Sequence, residues 1–246
     1  MLPLAIAFFV VAVLYASVGF GGGSTYAALL AFADVDYRLI PALALACNIV
    51  VVTGSSIRFA RAGLTPWRGA IMLTLVAAPA AFIGGLTPID EQNFLMLLGA
   101  SLVLTAIGLL LPIKGDEAAQ AKESPWFLPF IAAPIGFLAG LVGIGGGIFL
   151  APVLHLLRWN SARAIAATAS LFILVNSLFG LGGQLLKSGS DMLGAATAFG
   201  LPLLLAVVVG GQIGSLLAAN FLPQKWIRWV TAALTLWVGL RLLAGG

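Results

Sequence analysis

All eight acidic and twelve basic residues of this 246-residue chain lie in or beside short interruptions between long apolar runs. From interruption to interruption the sequence falls into eight segments, at roughly 3–33, 39–59, 67–86, 93–111, 126–157, 163–185, 192–219 and 225–244. Crossing a bilayer takes about 20 apolar residues at a rise of about 1.5 Å each. All eight segments are long enough. Only 8% of the residues are charged and 61% are apolar, whereas soluble domains carry about 25% charged residues. A soluble globular domain, a collagen and a disordered charged tail are therefore excluded, and the expected fold is an all-α polytopic transmembrane helix bundle.

The first segment lacks a basic n-region and reaches Asp34 without a small-residue cleavage site, so it reads as a span rather than a secretory signal. The single cysteine, Cys47, permits no intrachain disulfide and no cysteine metal cluster. The basic residues sit at segment borders, where topology accounts for them, so no nucleic-acid partner is expected.

The two halves repeat. Gly19-Phe20-Gly21-Gly22-Gly23 recurs 124 residues later as Gly143-Ile144-Gly145-Gly146-Gly147. In each half an apolar stretch, a polar break and a second apolar stretch carrying an Asn follow, with Asn48 in the first and Asn176 in the second. The expected organisation is repeat 1 over 1–113, a hydrophilic cytoplasmic linker over 114–124 (KGDEAAQAKES) and repeat 2 over 125–246.

Each repeat opens with its longest segment, and each of these carries its glycine cluster near the middle. A straight helix of that length would extend about 46 Å, beyond a hydrocarbon core of about 30 Å. Glycine costs roughly 1 kcal/mol per residue in a helix relative to alanine, so four within five positions predict a break between two half-helices. The alternative is a tilted, continuous helix whose glycines admit a close neighbour.

Charge placement bears on whether these broken segments cross. If all eight segments cross, the twelve basic residues divide 7 to 5 between the two sides. If the two broken segments return to the side they entered from, nine fall on one side and only Arg38, Lys187 and Arg241 on the other. The positive-inside rule favours the second arrangement. It predicts inverted repeats with re-entrant first helices, both termini outside, and a site at mid-membrane between the repeats.

The spans hold no Asp or Glu, which argues against a carboxylate proton relay or sodium site. Their polar content is neutral and hydrogen-bonding. A half-helix starting after a break presents free N–H groups and its positive dipole end, a natural place for an anion. Gly21, Gly22, Gly23, Ser24 and Thr25 are the candidate binding residues at the first break, and Gly145, Gly146 and Gly147 at the second. Asn48, Thr168, Ser170 and Asn176 are the candidates on the spans that follow, Thr168, Asn176 and Gln184 sharing one helical face at four-residue spacing. For each, bonding between neighbouring helices is the competing role.

The one histidine, His155, has no carboxylate or cysteine nearby in sequence and reads as an interfacial residue rather than a metal ligand. Tyr15 and Tyr26 flank the first break, as ligand donors or as packing. The six tryptophans read as interfacial anchors. No nucleophile, base and orienter set is present, so neither an enzyme, a metal nor a cofactor is expected.

The runs GFGGGSTYAALL at 19–30, VGIGGGIFLAPVL at 142–154, Ala167-Thr168-Ala169-Ser170 and Asn176-Ser177 resemble the sulfite exporter TauE/SafE family, also called the 4-toluenesulfonate uptake permease family. With the two-unit layout the resemblance covers nearly the whole chain. It implies passage of sulfur oxoanions or organosulfonates, such as sulfite or sulfoacetate, across a bacterial cell membrane. The first unit departs from the pattern: Ser24-Thr25-Tyr26-Ala27-Ala28 replaces the proline-bearing run at Ala151-Pro152, and Ala44 to Asn48 reads ALACN in place of Ala-Thr-Ser.

A negative cell interior pushes anions outward by about 2.3 kcal/mol per charge per 100 mV, which suits export without a coupled ion. The expected function is anion export by alternating access of the two repeats. A cation-coupled importer, an anion channel and a non-transporting membrane scaffold stay open as alternatives. The expected partners are a small anionic substrate and the lipid bilayer, with a homodimer left open.

Overall fold

A computed structural model describes residues 1–18, 21–110, 127–217 and 224–245. Among them all regular structure is helical: α1 (Leu2–Val18), α2 (Gly23–Phe32), α3 (Ile40–Arg61), α4 (Trp67–Leu86), α5 (Glu91–Leu110), α6 (Leu128–Val142), α7 (Gly147–Leu156), α8 (Ala162–Leu217) and α9 (Gln224–Leu243). Five stretches are long and apolar enough to cross a membrane, namely α3, α4, α5 and the portions Ala162–Lys187 and Thr197–Gly214 of α8. The predicted linker 114–124 lies outside the described residues, as do Gly19 and Phe20.

Both overlong segments are interrupted at their glycines. Gly22 and Gly146, each the residue before the next helix, have φ of 77° and 79°, a left-handed geometry that costs a side-chain-bearing residue roughly 1–2 kcal/mol. Beyond the first break the chain does not prolong α1. Phe8 lies ten residues, about 15 Å, before the end of α1, yet its ring centroid is 4.8 Å from that of Tyr26, so α2 lies back beside α1. At the second break Gly146 packs on Ala139 and Ile135 of α6, and α7 likewise lies back beside α6.

Sequence periodicity predicts two spans, 163–185 and 192–219, and α8 (Ala162–Leu217) supplies them as two apolar portions, Ala162–Lys187 and Thr197–Gly214. The two portions are side by side. Gly180 packs on Leu45 and Gly200 on Leu43 of the same helix, although a straight rod would part those glycines by about 30 Å. α8 therefore bends sharply between them.

Backbones approach closely wherever glycine permits it. Ala77 and Ala81 of α4 place their carbonyls against Gly136 and Gly140 of α6, and Gly85 and Gly183 join α4 to α8. This small-residue contact replaces the hydrophobic driving force that lipid does not supply. The pairs rise together along α4, α6 and the first portion of α8, so these three run parallel. Phe9 meets Gly210 and Val13 meets Gly214, so α1 runs parallel to the second portion. α3 runs antiparallel to the first portion, since Leu45 meets Gly180 and Ser55 bonds Ser170.

The pairings also match between halves. α4 packs on α6 as the second portion of α8 packs on α1, α2 packs on α3 as α7 packs on α8, and α2 packs on α9 as α7 packs on α5.

Candidate functional site

At each break the new helix starts on a glycine carbonyl. The N–H groups of Thr25 and Tyr26 donate to Gly22 at 3.0 and 2.9 Å, and those of Phe149 and Leu150 donate to Gly146 at 3.1 Å. Helix geometry then leaves the N–H groups of Gly23 and Ser24, and of Gly147 and Ile148, without an intrahelical acceptor. Both positive dipole ends lie in the protein interior, with Gly23, Ser24 and Gly147 buried.

The two breaks meet at Asn48. The Asn48 side-chain nitrogen donates to the Ile144 carbonyl at 3.3 Å, linking residues 96 apart. A Cβ placed on Gly21 would fall 2.5 Å from Asn48 Oδ1, and one on Gly145 would fall 2.7 Å from Asn48 Nδ2. A Cβ on Gly23 would collide with the Asn48 amide and lie 2.7 Å from the Ile144 carbonyl. Glycine is required at these positions because Asn48 occupies the space. The antiparallel register of α3 and α8 brings Ser177 to the same place, its hydroxyl 3.2 Å from the Cβ position of Gly145.

The polar atoms around this junction are not used up. Asn48 Oδ1, Ser177 Oγ, both amide atoms of Asn176, Ser24 Oγ and the Tyr26 hydroxyl are buried with no hydrogen-bond partner among the described residues. A buried, unsatisfied polar group costs about 1–3 kcal/mol, and folded proteins rarely retain several together without a use for them. Asn48, Asn176 and Ser177 are each fully buried, and α3 carries no acid.

The predicted residues thus divide. Gly21, Gly23 and Gly145 each lie against Asn48, and Gly147 adjoins this group through Ile173, which also lies against Gly21 and Gly145. Asn176 lies one turn beyond Ile173 on α8. The others have partners of their own. Thr168 donates to the Ala164 carbonyl of its own helix at 2.9 Å. Ser170 joins Ser55 and Ser56 at 2.9 and 3.0 Å. Thr25 bonds the Tyr15 hydroxyl at 2.8 Å, Gly22 packs on Tyr15 and Tyr26, and Gly146 packs on Phe172.

Several contributors escape sequence reasoning. The sequence marks Ser177 in the Asn176-Ser177 pair without singling it out as a binding residue, and Ile173 and the Ile144 carbonyl carry no polar mark. Arg58, counted in the sequence as a border charge, sends its guanidinium to the Ala16 carbonyl at 3.2 Å, in the last turn of α1. Trp159 is buried against the α6–α7 core rather than anchoring an interface, because it closes the tight turn after α7 with an N–H to the Leu154 carbonyl at 3.0 Å. Trp67, Trp229 and Trp237 are exposed, as anchors require, and His155 is half-buried.

The model of the sulfite exporter TauE/SafE family matches residues 4–242. The chain belongs to that family. It is 34% identical over 98% of its length to the probable membrane transporter protein y4hK of Sinorhizobium fredii, 97% of which is covered. A probable membrane transporter protein of Methanocaldococcus jannaschii is 30% identical over 72% of the chain and 70% of its own length. The probable membrane transporter protein YunE of Bacillus subtilis is 21% identical over 93% and 92%. No solved structure matches. With its apolar spans, this member of the TauE/SafE family is a multi-pass membrane transporter protein.

Proposed function

We propose that the protein exports small anions, sulfur oxoanions or organosulfonates such as sulfite and sulfoacetate, by alternating access of two inverted repeats in the cell membrane. The observation that carries this is the meeting of the two glycine breaks at Asn48. Two buried half-helix N-termini flank Asn48, and Asn176 Nδ2 and Ser177 Oγ on the facing helix are unpaired neutral donors, with no carboxylate in α3 to repel an anion or hold a cation. Neutral donors bind an anion without the deep well that a fixed ion pair would create, so it can also leave.

The inverted arrangement draws support from the registers. α1 enters alongside α3 and α2 returns toward the start of α3, as the contacts of Gly21 with Val52 and Gly23 with Asn48 indicate. α6 enters in the opposite sense, parallel to α4, and α7 descends along α8 from Ser177 toward Ala169. Two re-entrant hairpins from opposite faces, tips overlapping at Asn48, agree with these contacts and with the 9 to 3 division of basic residues. On that division the face holding Arg61 is cytoplasmic and both termini are outside.

Within this scheme Asn48, Asn176 and Ser177 hydrogen-bond the anion, while the N–H groups following Gly22 and Gly146 stabilise its charge. Gly21, Gly23 and Gly145 keep the backbone close. The membrane potential drives efflux, and no coupled ion is required. The test is counterflow of labelled sulfite or sulfoacetate in proteoliposomes: saturable exchange is expected. Large non-saturating currents would indicate a channel, and the absence of flux with every oxoanion and sulfonate would overturn the reading.

A further inference from the structure

We propose that the site at Asn48 takes a singly charged anion that carries one O–H group, the hydrogen form of an oxoanion, in preference to a dianion or a simple sulfonate, neither of which has a proton to give. This inference rests on the anion-transport reading above and names the ionic form of its substrate.

The Ile144 carbonyl fixes which way the Asn48 amide faces. Nδ2 donates to that carbonyl at 3.3 Å, and exchanging nitrogen for oxygen would set two acceptors against each other. Oδ1 is therefore held on the other side of the amide, toward Gly21, whose Cβ position lies 2.5 Å from it. The residue is fully buried, and Oδ1 has no hydrogen-bond partner among the described residues.

An amide oxygen only accepts. A dianion or a sulfonate brings acceptors of its own, so Asn48 Oδ1 would stay unpaired and face negative charge, which is costly in a buried site. An anion with one O–H gives that proton to Asn48 Oδ1 and keeps its other oxygens for donors. Ser177 Oγ is such a donor: it is unpartnered, and with Asn48 Nδ2 it flanks the Cβ position of Gly145, at 3.2 and 2.7 Å. The N–H groups that open α2 and α7 are others. Asn176, three residues after Ile173 on the same face of α8, carries the same mixture, with donor and acceptor atoms both unpartnered.

Charge points the same way. The basic residues of α3 stand in its last turn, about 15 Å beyond Asn48. Two helix N-termini supply about half an elementary charge each. That balances one negative charge and leaves a second uncompensated, and it opposes a cation on Asn48 Oδ1.

A matched pair of ligands tests the proposal. Near pH 6 methylphosphonate is a monoanion with one O–H, and methanesulfonate is a monoanion of nearly the same shape with none. Titrated into the purified protein, methylphosphonate should bind about tenfold more tightly at about pH 6 and lose that advantage by about pH 9, where it is a dianion, while methanesulfonate stays constant. Asn48→Ala should erase the preference, and the wild-type titrations decide alone should that variant fail to assemble. Equal affinities at the lower pH, or none for methylphosphonate, would overturn the proposal. So would binding that requires sodium, which would put a cation on Asn48 Oδ1. Wild-type proteoliposomes that exchange no oxoanion or sulfonate would instead sink the transport reading itself, a result visible before either titration.

Discussion

The first and second glycine breaks share a backbone and differ in side chains. Both start a ten-residue helix from a left-handed glycine, and both lie against Asn48. The first is followed by Ser24, Thr25 and Tyr26, the second by Ile148, Phe149 and Leu150. Ser24 and Tyr26 keep unpartnered buried polar atoms, whereas the second break offers backbone alone. On the proposed anion-transport reading the comparison separates two tasks: the shared backbone would supply charge stabilisation to any anion, and the first break the groups that tell one anion from another.

The largest expected effect tests the shared part. Gly22→Val and Gly146→Val each force a β-branched residue into a left-handed conformation, at roughly 1–2 kcal/mol, and add overpacking of about 1–3 kcal/mol against Tyr15 or Phe172. Both should lower thermal stability and abolish flux to a similar degree. Tolerance at one break only would show that the backbones are not equivalent.

Next come the asparagines. A hydrogen bond to a charged group contributes about 1.5–3 kcal/mol, so Asn48→Ala and Asn176→Ala should each weaken sulfite binding by about 10- to 100-fold. Titration of purified protein checks this. Asn48 should show the larger loss, since its removal also frees the Ile144 carbonyl.

A smaller effect tests the difference between the breaks. Ser24→Ala and Tyr26→Phe should shift the preference between sulfite and a bulkier sulfonate by about three- to tenfold, the value of one neutral hydrogen bond. Ile148→Ala should leave that preference unchanged in competition uptake. An equal shift at Ile148 would erase the division of tasks.

The smallest effect is at Thr168. Its hydroxyl is already bonded to the Ala164 carbonyl, so Thr168→Val should change KM by less than about twofold. A large rise would return Thr168 to the site.

Much of this was legible in the sequence, for identifiable reasons. Span lengths and charge spacing mark the helices, and four glycines in five residues inside an overlong run mark each break. The repeated asparagine was legible as a buried polar residue, but its partner was not: the Ile144 carbonyl is a backbone group 96 residues away, brought near by small-residue contacts such as Gly140 on Ala81. Ser170 shows the converse. In sequence it looks like Thr168 or Ser177, and only the register of α3 against α8 commits it to Ser55 and Ser56. The reversal of α8 was legible too, since Lys187 and Asp191 mark a border by charge between its two apolar portions, Ala162–Lys187 and Thr197–Gly214.

The central claim is that the meeting point of the two breaks at Asn48 cradles the anion. Selenite is a heavier analogue of sulfite, so anomalous diffraction from crystals grown with selenite tests it most directly. The account predicts a selenium peak between Gly23 and Gly145, within hydrogen-bonding distance of the Asn48 side chain. A selenium peak elsewhere in the protein, with none at that junction, would contradict it.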